Sequence, residues 1–191
     1  PLDATIFISG IGYHELYCNG IKVGDHRLDT GWTDYSSRIY YVTHKVTDCL
    51  KGGINVFGVS LGNGRFTKTS NQWPSLHNVP PQLLFQANIR MTPSAKDTKI
   101  IVSNVNDWFV HAGPIVEDSL YDGEIYDSRK EKEIQGWTTS ACPNCHSWTK
   151  QPTLVNEKDA GISQAVLSSQ IFEPIRAISS KKPISILNST K

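Results

Sequence analysis

The sequence predicts an all-β chain, an antiparallel β-sandwich or jelly roll. Three observations predict it: short apolar runs that alternate with a period of two, glycine- and asparagine-rich turns between them, and no heptad repeat or long amphipathic helix. With 191 residues, 38% hydrophobic and 19% charged, residues 1–191 read as a single domain large enough to bury its own core.

Taken in order, Ile6, Phe7 and Ile8 form an apolar run that ends at Gly10 and Gly12. Tyr13, Glu15 and Tyr17 then alternate with His14, Leu16 and Cys18. Asn19-Gly20 supplies the positive φ angles of a type I′ turn, so a hairpin returns through Ile21, Lys22 and Val23. A loop, Asp29 to Tyr35, precedes a strand through Ile39, Tyr40, Tyr41 and Val42. Val46 to Gly53 reads as a short helical or turn element, and Ile54 to Leu61 as a buried strand closed by Gly62-Asn63-Gly64. Residues 65–81 read as loop. Leu83–Met91 and Lys99–Val102 read as a hairpin across Pro93–Asp97, with further strands at Trp108–Val110 and two within Ile115–Tyr126. Residues 137–165, rich in Thr, Ser, Pro and Asn, read as one long cysteine-containing loop. The tail, 173–191, offers one or two late strands and leads toward a further domain.

Composition excludes some partners. A net charge of +1 with no basic stripe gives nucleic acid nothing to bind. No apolar run has the length of a membrane span. The chain starts at Pro1 without a leader, as a secreted protein does after processing or as a fragment, so the cytosol is not implied.

Cys18, Cys49, Cys142 and Cys145 make an even set. The Cys142-Pro143-Asn144-Cys145 pair admits half a zinc site, a redox pair or a tight disulfide; zinc needs all four thiols to converge, and redox chemistry needs a βαβ context that the sequence lacks. The simplest account is two disulfides, Cys142–Cys145 stapling the long loop and Cys18–Cys49 joining the first hairpin to the following turn. With the glycosylation acceptor at Asn188-Ser189-Thr190, this points to an extracellular protein. The six histidines, His14, His26, His44, His77, His111 and His146, show no metal-ligand spacing on a helix and carry no assigned chemistry.

Gly12-Tyr13-His14-Glu15-Leu16-Tyr17-Cys18-Asn19-Gly20, with Val23-Gly24-Asp25, resembles the hairpin that opens the accessory domain of bacterial α-L-rhamnosidases. Leu28-Asp29-Thr30-Gly31-Trp32-Thr33-Asp34-Tyr35 resembles that family's next loop, and Val46-Thr47-Asp48, Asn55-Val56 and Leu61-Gly62-Asn63-Gly64 continue it in order. Tyr121 to Arg129 resembles a further family motif, and Glu173-Pro174-Ile175-Arg176 the exit toward the catalytic domain. The hairpin and the Thr47-Asp48 element are shared with sugar-binding domains of β-glucuronidases and β-galactosidases. The resemblance implies a jelly roll of the galactose-binding type and a non-catalytic role, since the family's catalytic acids belong to an (α/α)₆ barrel that this chain does not contain. It also implies that some relatives bind L-rhamnose through calcium.

The sugar site expected from these residues is the loop Trp32 to Arg38 facing residues 71–80. Trp32, Tyr35 and Trp73 supply aromatic faces, and Asp34, Arg38, Asn71 and Asn78 supply polar contacts. Calcium would take oxygens from Asp34, Asn78 and the carbonyls near Pro80. Where calcium-binding relatives are expected to carry an acidic residue and an asparagine, this chain has Ser36 and Ser37. The competing reading makes Trp32 and Tyr35 ordinary packing residues. Asp122 and Glu124, at i and i+2 on a strand, lie about 7 Å apart, inside the roughly 6.5–9.5 Å of an inverting glycosidase pair. The favoured reading is a structural network of Asp122, Glu124, Asp127 and Arg129 that fixes this segment or docks it on a neighbouring domain. The functional expectation is a carbohydrate-binding or scaffolding module whose partner is a rhamnose-containing glycan or a neighbouring domain. The alternative is a structural or adhesive extracellular domain that mediates protein–protein assembly, including self-assembly.

Overall fold

The computed structural model describes residues 1–67, 79–145, 148 and 152–185. Its strands are β1 (Asp3–Ile11), β2 (Tyr13–Cys18), β3 (Ile21–Lys22), β4 (His26–Arg27), β5 (Arg38–Lys45), β6 (Phe57–Gly62), β7 (Gln82–Arg90), β8 (Thr98–Val102), β9 (Ile115–Ser119), β10 (Gly123–Tyr126), β11 (Val166–Ser169) and β12 (Ile175–Arg176). They form an all-β fold. A five-stranded sheet runs β11-β5-β1-β7-β8 and a three-stranded sheet β3-β2-β6, with β9-β10 and β4-β12 as two-stranded pairs.

Alternation decides which faces meet. On β1 the inward residues Ala4, Ile6 and Ile8 are fully buried. They pack with Val42 of β5, Phe85 and Ala87 of β7, and Leu16 and Cys18 of β2, the facing sheet. Each large aliphatic side chain removed from water here contributes ~1.5–3 kcal/mol. A second cluster, Ile11, Tyr35, Ile39, Phe66 and Ala160, closes the end of the sandwich beneath the residue 31–38 loop.

The first hairpin forms as its sequence requires. Asn19 (φ 51°) and Gly20 (φ 89°) make the turn that sets Cys18 opposite Ile21. The β7–β8 and β9–β10 hairpins also match the sequence pattern.

Four expectations change. The buried strand begins at Phe57, not Ile54, which is 74% exposed. Residues 51–56 are held instead by the amide of Asn55, which bonds both backbone groups of Lys51 (2.9 Å each), and by the Val56 N–H donating to Asn19 Oδ1 (3.0 Å). Trp108–Val110 is not a strand: Trp108 folds back on Phe85 (centroids 5.1 Å) and donates Nε1–H to the Val102 carbonyl (3.3 Å). Not every pairing is antiparallel, because β11 joins the β5 edge in parallel.

The fourth concerns the cysteines. Cys142 and Cys145 are bonded, with Cα atoms 5.4 Å apart. Cys18 and Cys49 are free thiols. Their segments are joined by hydrogen bonds to one carbonyl: Cys49 O accepts from Asn19 Nδ2 (2.8 Å) and from Cys18 Sγ (3.6 Å). Burial pushes the Cys18 thiol up to about 11.

Candidate functional site

The loop expected to meet sugar is built by short-range polar chemistry. The Asp34 carboxylate accepts from Ser36 N (3.1 Å), Ser36 Oγ (2.5 Å) and Ser37 Oγ (2.8 Å), while its carbonyl accepts from Ser37 N and Arg38 N. The Thr33 hydroxyl donates to the Arg38 carbonyl. These bonds curl the chain into β5, where Arg38 is exposed at the first position.

Within this loop the aromatic residues separate. Tyr35 is 2% exposed and packs edge-on to Phe66 (5.2 Å), so its ring cannot meet a ligand; it is a core residue, and burial pushes its hydroxyl pKa upward. Trp32 is 51% exposed. The Arg65 guanidinium lies over its ring, 4.4 Å from the centroid, and donates Nη1–H to Tyr121 Oη (3.0 Å). Trp32, Arg65 and Tyr121 form one rim, contributed by three distant segments. Sequence reading placed Trp32 here and missed Arg65; the signal was its position directly after the Gly62-Asn63-Gly64 turn that ends β6.

Of the expected calcium set, Asp34 and Pro80 lie among the described residues. Both Asp34 oxygens hold serine hydroxyls, and the Pro80 carbonyl accepts from Gln82 Nε2 (2.6 Å). Ser36 and Ser37 thus act as donors to the carboxylate where calcium would need further oxygen acceptors. Asn71, Trp73 and Asn78 lie outside the described residues, as does Asn188.

The acidic segment forms two local units rather than one network. Asp122 sits in the β9–β10 turn and accepts from Ser119 Oγ (3.0 Å). Asp127 caps the following 3-10 turn and receives Arg129 Nε and Nη2 (2.8 Å each), which holds its carboxyl below the usual carboxylate range. Exposed Glu124 joins neither unit.

A buried histidine cluster escaped sequence reading. His14 on β2 and His44 on β5 point inward from facing sheets, and ligand-type atoms of His14, Asp29 and His44 lie within 4.8 Å of one another. The signal was alternation: each histidine sits two residues from a buried apolar neighbour, Leu16 or Val42. His14 Nδ1 accepts the Gly10 N–H (3.0 Å), so the ring proton sits on Nε2 and neither nitrogen has a lone pair for a cation. That leaves Asp29 and His44 as the ligand-type groups of the trio. His26 donates Nδ1–H to Asp29 Oδ2 (2.6 Å), and Arg176 of β12 meets His26 Nε2 (3.3 Å) and Asp25 (2.9 Å). Burial lowers the His14 pKa to about 3 and the His44 pKa to about 4, and raises that of Asp29.

Residues 1–179 match the α-L-rhamnosidase N-terminal domain. The chain belongs to that family. An α-L-rhamnosidase of Formosa agariphila is 30% identical over 178 residues, 90% of this chain but 18% of that protein. The structure of the α-L-rhamnosidase from Dictyoglumus thermophilum superposes with a TM-score of 0.79 at 36% identity, covering 96% of this chain and 19% of that one. The Streptomyces avermitilis α-L-rhamnosidase complexed with L-rhamnose gives 0.80 at 29% identity, covering 93% and 16%. This rhamnosidase N-terminal domain thus spans a fifth or less of the relatives it matches.

Proposed function

We propose that this rhamnosidase N-terminal domain is a non-catalytic module that holds a rhamnose-type glycan at the Trp32 rim, beside the catalytic part of an extracellular α-L-rhamnosidase. The observation that carries this reading is Trp32. A half-exposed indole, fixed from above by Arg65 and flanked by a loop whose next aromatic, Tyr35, is anchored in the core, is the flat apolar face that sugar C–H bonds pack against. The carboxylates Asp122 and Glu124 are exposed on a hairpin and its turn, and Asp122 accepts from Ser119 Oγ within that turn, which favours a structural role. The Cys142–Cys145 bond favours an oxidising compartment.

Calorimetric titration with L-rhamnose, with and without chelator, tests the reading. Binding should be unchanged by chelation, because Asp34 is already satisfied by Ser36 and Ser37. It should weaken at least roughly tenfold in Trp32→Ala, the loss of one aromatic platform. Absence of heat with every rhamnoside would overturn it.

A second reading rests on β9–β10. Ile115, Val116, Leu120, Tyr121, Ile125 and Tyr126 are 43–52% exposed on a two-stranded hairpin, an arrangement that gains little stability alone and suits a scaffold packed on a neighbouring domain of the same protein. Ile125→Asp would then weaken that docking and leave sugar binding unchanged.

A further inference from the structure

Building on the Trp32 reading, we infer that the sugar received at this rim carries an oxyanion, a uronate carboxylate or a sulfate ester, and that Arg65 binds it. Three of the five other arginines meet carboxylates: Arg27 meets Glu15 (3.4 Å), Arg129 meets Asp127 (2.8 Å) and Arg176 meets Asp25 (2.9 Å). Arg65 is half-buried, yet among the described residues its contacts are the indole of Trp32 and the phenol of Tyr121. The Asp118 carboxylate accepts from the Asn63 backbone N–H (3.0 and 3.3 Å).

The guanidinium is also held in place before any ligand arrives. Its neighbour Phe66 is fully buried against Tyr35. Its other neighbour, Gly64 (φ +54°), lies so close to the Gly12 backbone that a Cβ would come within 3.0 Å of it. Backbone and ring contacts therefore fix a planar cation, whose N–H groups meet no carboxylate among the described residues, beside a half-exposed indole. A neutral ring needs only the indole; the fork of donors matches the paired oxygens of a carboxylate or sulfate. Preorganisation of this kind lowers the ordering cost of binding.

The test compares charged and neutral sugars. Methyl β-glucuronide, methyl β-glucoside, glucose 6-sulfate and L-rhamnose are titrated against the purified protein, with folding checked by circular dichroism. A uronide or sulfate that binds roughly tenfold or more tighter than the neutral glucoside, with the preference lost in Arg65→Gln and weakened by salt, supports the inference. Preference for the uronide alone or the sulfate alone identifies which oxyanion is read. L-rhamnose binding with no charge preference overturns the inference and leaves the Trp32 reading intact. No binding by any of the four overturns both. Unfolding of Arg65→Gln would leave the charge preference of the unmodified protein as the deciding measurement.

Discussion

Acid should open this sandwich, because two imidazoles from facing sheets must stay neutral inside it. In the unfolded chain both titrate near 6.5, whereas burial lowers His14 to about 3 and His44 to about 4. Between these values the unfolded state binds more protons than the folded one. Stability is therefore full above about pH 6.5 and falls as pH drops toward 4. At pH 4.5 each histidine is charged in the unfolded chain and mostly neutral in the fold. At 1.36 kcal/mol per pH unit, each removes ~3 kcal/mol. Asp29, whose carboxyl burial pushes up, works in the opposite sense and offsets part of this. A net loss on the order of 5 kcal/mol is a large part of a domain's total stability and lowers Tm by ~10–20 °C. Thermal and urea unfolding followed by tryptophan fluorescence from pH 7.5 to 4.5 measures it. His44→Phe should remove one titrating group and roughly halve the slope. An unchanged slope in His44→Phe, or stability flat across this range, would refute the reasoning.

Three further outcomes follow from the same structure. Asn19→Ala should destabilise by ~2–3 kcal/mol in urea unfolding, since it removes the positive-φ asparagine and its bonds to Cys49 O, Asn55 Oδ1 and Val56 N. Tyr35→Phe should be neutral or stabilising by up to ~1 kcal/mol, because its buried hydroxyl has no hydrogen-bond partner among the described residues; a clear loss would show that the hydroxyl is satisfied. Alkylation without reductant should label two cysteines, Cys18 and Cys49, in the denatured chain, and Cys18 more slowly in the native one; four labels would contradict the Cys142–Cys145 bond and none would restore a Cys18–Cys49 bridge.

The local rules were legible in the residues themselves. Asn19-Gly20 could only make a tight turn, and the alternation in β1 and β2 fixed which side chains face inward, because a one-residue slip would invert both faces. The sequence also marked Trp32 as a surface candidate and tied the motif order to a rhamnosidase module. Tertiary structure decided what distant segments share. Arg65, Trp32 and Tyr121 meet only because β6, the loop before β5 and the β9–β10 turn end at one rim. Tyr35 and Trp32, three residues apart in a loop without regular periodicity, go to core and solvent according to where Phe66 lies. The cysteines paired by proximity rather than by count, with Asn19 joining the segments that a disulfide was expected to join. Histidines scattered over thirty-one positions, from His14 to His44, became one buried cluster because alternation on two strands aimed them across the same sheet interface, a long-range fact that no window of sequence contains.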